Sequence, residues 1–373
     1  MADHSLPVEA IAYRMYLNLL KNWNSIMDHG DLKEAKEIML VIDECYKVWD
    51  DPALDYLYKI ARARYYRAIG KRKYFALLMD ELEDLSHNFY DEHNHYYHRL
   101  AGLDAWGNRL YKDAIEEFHK AELADTGEWG DAIYYYAYGA CLTEMGYINK
   151  SIKYLLRAKE MAEKNDFHKY DIYIQGYLAS NYCLINNSDE ALNIMNKCIL
   201  IEKEKKNTSV SMAFAYLALG DIYYKNKRYG EALTFIDIAI PYTPEDSEMR
   251  VRCMYEKAQV LISSGDIEQG IIYTNDGINK STIGGTWGDV WKALLIALEF
   301  STELSEPESM DYMLNRAIPS LLEHGQYYEA IGYYKTISKY YEEAGDKDKA
   351  LYFSNVVHNI YDDLIMDKMK GGV

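Results

Sequence analysis

The chain has 373 residues, six prolines and a formal net charge of −18, with a pI near 5.0. Nucleic-acid binding needs cations that replace the counterions of phosphate groups, so this acidic balance argues against direct contact with DNA or RNA. The start of the chain lacks a basic-then-apolar leader, and no apolar run approaches the ~18–20 residues that cross a bilayer. We therefore expect a cytoplasmic protein without membrane contact.

Cysteine usage indicates reduced thiols. The five cysteines are widely separated and odd in number, and no C-x-x-C pair occurs, so we expect neither a disulfide framework nor a zinc site. The positions are Cys45, Cys141, Cys183, Cys198 and Cys253. No nucleotide-binding or nucleophile motif is present, so we identify no catalytic residue and expect no cofactor.

The first 90 residues predict a small helical module with two irregular hairpins. One hairpin should turn at Gly30-Asp31 and the other near Gly70, and two aspartates before Pro52, Asp50 and Asp51, are interpreted as helix caps. We place a domain boundary near residue 90, with residues 91–373 forming a second domain. The alternative is that the first 90 residues are simply two further repeats of the pattern described below.

Six cations are concentrated in "ARARYYRAIGKRK" of this module. They are Arg62, Arg64, Arg67, Lys71, Arg72 and Lys73. One interpretation is a solvated face whose cations favour a helix C-terminus. The other is a docking patch for an acidic partner such as a response regulator.

The segment "HNHYYH" contains three histidines, a residue type that commonly binds metal ions. His95 and His98 are three apart and can share a helix face, whereas His93 cannot easily join them. We therefore expect an exposed helix start and no metal.

"YLALGDIYYKNKRYGEALTFIDIAIPYTP" (216–244) has the spacing of a tetratricopeptide helix pair. Small residues at Gly220, Ala232 and Ala239 would let two helices touch, and larger residues such as Tyr223 would fill the gaps between them. Pro244 should end the second helix, because proline cannot supply the next backbone N–H.

The same frame recurs along the chain. The turn-side slots of successive copies lie 37 to 41 residues apart, longer than the usual 34, so each hairpin should carry about one extra helical turn. These slots are Ala114, Ser151, Ala191, Ala232, Gly270, Met310 and Ala350. The pattern predicts an all-α, right-handed tetratricopeptide-repeat superhelix of about seven long helical hairpins behind the N-terminal helical module.

Such a superhelix lines an inner groove with the first helix of each hairpin. The inward positions carry aromatics, amides and opposite charges, which suits the backbone and ends of a short peptide. The predicted peptide-binding residues are Arg99, Tyr136, Glu144, Tyr173, Gln175, Asn181, Asp221, Tyr224, Lys225, Tyr255 and Gln259. The same rule places Ser180 and Arg252 inward.

Two of these residues have specific expected roles. The Asn181 amide could both donate to and accept from one peptide unit, although it could equally be bonded within the protein. The Arg99 guanidinium could hold a carboxylate in a bidentate manner, or pair with a neighbouring acid. Most of the tyrosines are expected to serve packing.

The lines "LASNYCLINNSDEAL" and "NRLYKDAIEEFHKAE", with long hairpins behind a helical module of some 90 residues, resemble the Rap/NprR/PlcR (RRNPP) group of quorum-sensing peptide receptors. The resemblance implies a receptor for a secreted and re-imported signalling oligopeptide that regulates transcription or a sporulation phosphorelay through protein contacts. It also implies a homodimer or higher oligomer, and "SNY" places Asn181 where the family contacts peptide backbone.

The chain departs from the family in two ways. NprR and PlcR begin with a helix-turn-helix domain, which this sequence does not open with, so DNA contact is expected only through such a domain. Many Rap proteins remove phosphate from a response regulator with a glutamine in the N-terminal module. Here that slot falls near Pro52, and the first glutamine is Gln175.

A receptor resembling NprR without that domain, or a Rap-like protein, is therefore preferred. A Rap-type phosphatase and a tetratricopeptide scaffold are the alternatives.

Overall fold

The computed structural model describes residues 8–29, 32–46, 51–124, 132–164, 170–204, 210–281, 286–323 and 325–370. Throughout these ranges the chain forms helices and turns and contains no β-strand, so the predicted all-α class is confirmed. The predicted turn at Gly30-Asp31 and the proposed cap Asp50 lie outside the described residues, as does the side chain of Cys45.

Two hairpins precede residue 90 and seven follow it in the described ranges, as the repeat spacing predicts. The helices before residue 90 are α1 (Val8–His29), α2 (Leu32–Tyr46), α3 (Pro52–Ala68) and α4 (Arg72–Leu85). The next are α5 (Asp91–Gly107), α6 (Tyr111–Leu123), α7 (Ala132–Glu144), α8 (Ile148–Lys164), α9 (Asp171–Leu184), α10 (Ser188–Glu204), α11 (Val210–Lys225) and α12 (Tyr229–Ala239). The last are α13 (Glu248–Ser264), α14 (Ile267–Lys280), α15 (Thr286–Ser301), α16 (Pro307–Tyr312), α17 (Ile318–Glu323), α18 (Tyr327–Glu343) and α19 (Lys347–Lys370).

The chain divides into two compact units. Unit 1 holds the described residues of Met1–Gly107, Asp113–Tyr138 and Glu160–Lys169. Unit 2 holds those of Asn108–Lys112, Gly139–Lys159 and Tyr170–Val373. The boundary near residue 90 predicted from the sequence falls inside unit 1, where α5 packs against α3.

Unit 1 is packed around aromatic side chains. Trp23 is fully buried, donates its indole N–H to the Ala35 carbonyl oxygen at 2.7 Å, and contacts the Tyr65 ring. Helix α3 begins at Pro52 because the Asp51 carboxylate accepts a bond from the Ala53 N–H at 2.8 Å, which confirms the predicted cap.

The histidine segment is not the exposed helix start that we expected. His93 and His95 are buried, and their ring nitrogens lie 3.0 and 2.9 Å from the carbonyl oxygens of Ala53 and Ala121. His98 lies 2.7 Å from the Glu117 carboxylate. These histidines therefore tie α5 to its neighbours in unit 1, because buried polar groups need hydrogen-bond partners.

The basic segment does not form one continuous surface. Arg62 is half-buried and donates to the hydroxyls of Tyr58 and Tyr66, and Arg67 bonds the Leu103 carbonyl and Asp104. These two arginines therefore make contacts within unit 1, and a docking role for them stays a prediction. The exposed part is the turn at Lys71, Arg72 and Lys73. A docking role there, with Arg64, stays a prediction.

Small residues set the distance between paired helices, as the spacing predicts. Ala114, Ser151, Ala191 and Ala232 are all fully buried. A Cβ atom added at Gly139 would lie 2.7 Å from the Leu155 side chain, so this position admits glycine alone without rearrangement.

Helix α12 ends earlier than predicted. Its last α-helical residue is Ala239, and a 3₁₀ turn over Ile240–Tyr242 follows. The prediction that Pro244 ends this helix is therefore wrong, because Pro241 already interrupts the backbone bonding pattern three residues before Pro244.

Most turns within the described hairpins, and the turn between α17 and α18, contain one residue in the left-handed region of backbone space. Its amide caps the preceding helix, for example from Gly146 to the Thr143 carbonyl and from Gly265 to the Ile262 carbonyl. The residues with positive φ are Gly70, Arg109, Gly146, Asn186, Lys227, Gly265, Gly325 and Gly345. From Arg109 onward, each lies five residues before a small residue of the following helix.

Candidate functional site

Unit 2 encloses a cavity of about 370 Å³. Its wall is built from the first helices of successive hairpins, α7, α9, α11, α13 and α15, together with the start of α18 and the turn before α6. The volume lies within the ~300–1,000 Å³ typical of small-molecule and cofactor sites. The repeat therefore brings residues that are far apart in sequence to one site.

Six of the eleven predicted peptide-binding residues line this cavity. They are Glu144, Asp221, Tyr224, Lys225, Tyr255 and Gln259. Ser180 and Arg252, which the inward-position rule also selected, line it as well.

Two cations of the wall are paired with acids one helical turn away. Lys225 lies 2.6 Å from Asp221 and also donates to the Ser180 hydroxyl at 3.3 Å. Arg252 lies 2.7 Å from Glu256. Burial opposes the charge of both cations, but the paired carboxylates outweigh it and raise the pKa values of Lys225 and Arg252 above their ordinary values.

An aromatic surface accompanies these charges. The Trp291 ring has the guanidinium carbon of Arg109 at 5.5 Å and that of Arg252 at 5.9 Å from its centre. Arg252 also lies 5.4 Å from the Phe214 ring centre. Tyr255 contacts Trp291, and its hydroxyl accepts a bond from Gln259 at 3.1 Å.

Two further carboxylates, Glu144 and Glu329, face the cavity from α7 and α18. Burial and the repulsion by Glu144 raise the pKa of Glu329 to about 7, against the weaker attraction of Lys225 and Arg109. Glu144 also accepts a hydrogen bond from the Tyr177 hydroxyl at 3.2 Å. The wall thus contains one carboxyl group that titrates near neutral pH.

The start of α18 closes part of the wall against the α7–α8 turn. A Cβ atom added at Gly146 would lie 1.9 Å from the Tyr328 hydroxyl oxygen, so a larger residue there would displace the Tyr328 side chain. The start of α18 therefore contributes to the wall of the cavity.

The other five predicted peptide-binding residues lie outside the cavity lining, four of them as follows and Asn181 as described in the next paragraph. Arg99 and Tyr136 belong to unit 1, where both are buried, and burial lowers the pKa of Arg99 to about 10. Tyr136 packs edge-on against Trp106. Tyr173 packs against Phe214, and Gln175 is half-buried; neither lines the cavity.

Asn181 is fully buried behind the wall, which favours the alternative that its amide is bonded within the protein. Its amide nitrogen donates to the Thr143 hydroxyl at 3.0 Å and the Ser151 hydroxyl at 2.8 Å. Ser151 in turn donates to the Gly139 carbonyl at 2.7 Å. The amide is thus used within the protein, joining α9 to the ends of α7 and α8.

Several residues of the site were missed from the sequence because the rule considered only certain positions of each first helix. They are Arg109, Tyr111, Tyr177, Glu256, Trp291, Tyr328 and Glu329. Arg109 lies in a turn, and Tyr328 and Glu329 begin the second-to-last helix.

Within the described ranges, no group of three or more histidine, cysteine, aspartate or glutamate side chains is arranged to hold a metal ion. The part of the chain that was searched for bilayer-spanning segments contains no helix with the required length and apolarity.

A family model described as tetratricopeptide repeat matches residues 132–165, which cover α7 and α8. Comparison with curated protein sequences gave no significant match. Comparison with solved structures gave similarity over nearly the whole chain.

A Rap protein complexed with competence and sporulation factor matches at a TM-score of 0.80 and 14% identity, covering 95% of this chain and 99% of that one. NprR in complex with its cognate peptide NprX matches at a TM-score of 0.78 and 17% identity, covering 92% of this chain and 98% of that one. Aspartyl phosphate phosphatase F from Bacillus subtilis matches at a TM-score of 0.56 and 17% identity, covering 96% of each chain. The chain has the tetratricopeptide fold of the Rap and NprR proteins, as the sequence resemblance predicted.

Proposed function

We propose that the protein is a cytoplasmic receptor for a secreted and re-imported signalling oligopeptide, which it binds in the cavity of unit 2. The observation that carries the proposal is this cavity, lined by opposite charges, aromatic rings and amides from successive hairpins. Such a lining can meet the donors and acceptors of a peptide backbone and bury its side chains.

The comparisons support the class of ligand. The similar NprR structure holds the peptide NprX, and the similar Rap structure holds competence and sporulation factor. By analogy, peptide binding here would regulate transcription or a sporulation phosphorelay through protein contacts. We further propose a homodimer or higher oligomer, which light scattering with and without peptide would test.

Affinity selection tests peptide binding directly. The protein is incubated with a synthetic pool of five- to eight-residue peptides, separated by gel filtration, and its retained peptides are identified by mass spectrometry. Micromolar binding corresponds to about −8 kcal/mol. We expect only a small set of related peptides to bind this tightly and be retained. Retention of none would contradict the receptor and favour a scaffold that binds only folded proteins.

The second candidate is an aspartyl-phosphate phosphatase, which the similarity to aspartyl phosphate phosphatase F favours. The lack of a glutamine before Gln175 weighs against the family's usual chemistry. Incubation with phosphorylated response regulators separates the two functions: a receptor alone leaves the phosphate half-life unchanged, whereas accelerated loss would establish the phosphatase.

A further inference from the structure

Arg109 is an exception among the left-handed turn residues. Five of the eight are glycines, which adopt positive φ without strain, and Asn186 is among the few other types that tolerate it. Lys227 has the same conformation as Arg109, with φ values of 59° and 60°, but the Lys227 side chain is exposed. Arg109 is only 6% exposed and points into the cavity wall. It therefore combines backbone strain with the burial of a cation.

Burial has a different net effect on Arg109 than on the other two cations of the wall. The salt bridges described above raise the pKa values of Lys225 and Arg252. For Arg109, burial outweighs the attraction of Tyr111, Glu144 and Tyr177, and its pKa is lowered. A negative charge placed beside Arg109 would oppose the effect of burial on its cation.

The position of the Arg109 guanidinium suits recognition of a planar anion. Its carbon lies 5.5 Å from the centre of the Trp291 ring, a cation–π contact that restricts how the group can move. A guanidinium held in this way presents paired N–H groups, which match the two oxygens of a carboxylate. Arg252, near the same ring, adds positive potential at this part of the wall.

We propose that Arg109 is the receptor for a carboxylate of the bound peptide, supplied by its C-terminus or by an aspartate or glutamate side chain. This inference rests on the proposed peptide-binding function. It explains why a strained turn position carries a buried arginine, since strain and buried charge persist where a function requires them.

Three peptide pools test the ligand chemistry. The first has free C-termini and no acidic side chains, the second has amidated C-termini and acidic side chains, and the third has amidated C-termini and no acidic side chains. We expect retention from the first or the second pool, which identifies the source of the carboxylate, and none from the third. Equal retention from the third pool would overturn the carboxylate inference while leaving the peptide receptor intact. Retention from no pool would overturn both.

Matched glycine variants test the residue. Arg109→Gly should leave Tm unchanged or raise it, because it relieves the strained φ and the buried charge, and should weaken binding of the retained peptides on the order of 10- to 100-fold. Lys227→Gly, at the equivalent turn outside the cavity wall, should leave binding unchanged. Arg109→Gln, which removes the charge but keeps most of the side chain, should weaken binding similarly.

The alternative is that Arg109 serves only to pack against Trp291. In that case Arg109→Gly lowers Tm, and Arg109→Gln binds peptides as tightly as the unaltered protein. Either unchanged affinity in both Arg109 variants or equal weakening by Lys227→Gly would overturn the proposal.

Discussion

The Asn181 amide nitrogen donates to the Ser151 hydroxyl, 30 residues away in sequence, at 2.8 Å. Ser151 occupies the turn-side slot that most other hairpins fill with alanine or glycine, and its hydroxyl bonds the Gly139 carbonyl of the paired helix. The polar residue in this slot is therefore part of the packing between consecutive hairpins, and Asn181 is its hydrogen-bond partner.

We expect Asn181→Ala to lower the free energy of unfolding by about 1–3 kcal/mol, because two buried hydroxyls lose a donor. Urea unfolding measures this loss. The control is Asn315→Ala, which removes an exposed bond to Asp311 and should change stability by less than about 0.5 kcal/mol. Unchanged stability with weakened peptide binding would instead return Asn181 to the ligand site.

Gly139→Ala should destabilise the protein by about 1–3 kcal/mol, because the new methyl group would overlap the Leu155 side chain. Gly230→Ala is the matched control, since a Cβ atom there meets nothing within 4 Å. In helix α12 it should stabilise by about 0.5–1 kcal/mol. Thermal or urea unfolding should show that Gly139→Ala lowers the stability and that Gly230→Ala raises it. Equal changes in stability would contradict the close helix contact at Gly139.

Glu329→Gln should change how stability depends on pH. The folded-state pKa of Glu329, about 7, is above its unfolded value near 4.5, so the folded protein binds the extra proton and loses stability as pH rises from about 4.5 to 7. The neutral glutamine avoids that loss, and we expect the variant to be more stable than the unaltered protein at pH 8, by about 1–3 kcal/mol.

Urea unfolding at pH 5.5 and pH 8 measures this difference. The comparison variant is Glu343→Gln, whose carboxylate lies at the exposed end of α18 with a side chain 68% accessible. It should follow the unaltered protein at both pH values. A Glu329→Gln variant with the same pH dependence as the unaltered protein would show that this carboxyl group is not held in a charge-repelling environment.

How far the sequence predicts the structure depends on whether a feature is periodic. The small slots recur at nearly constant spacing, so Ala114, Ala191 and Ala232 could be assigned from the sequence, and they are fully buried. Asp221 and Lys225 were predicted because they occupy inward positions of the repeat on α11, and both line the cavity.

The features that were missed depend on contacts between hairpins. Asn181 is buried between α9 and α7, whereas its neighbour Ser180, which the inward-position rule selected, lines the cavity, since adjacent residues of a helix point about 100° apart. His93 and His95 are buried by contacts with segments at least 26 residues away. Arg109, by contrast, had a signal: it stands five residues before Ala114, where most other hairpins have glycine or asparagine and one has the exposed Lys227.

Filling the cavity tests the central claim most directly. Ala218 lines the cavity on α11, and Ala218→Trp would place a large ring in the space proposed for the peptide. For the peptides retained in affinity selection, calorimetry should show a Kd at least about 100-fold weaker in this variant. This corresponds to a loss of about 3 kcal/mol in binding free energy. Ala344→Trp, at an exposed position after α18, should bind as the unaltered protein does. A folded Ala218→Trp protein that binds the same peptides with unchanged Kd would contradict the account.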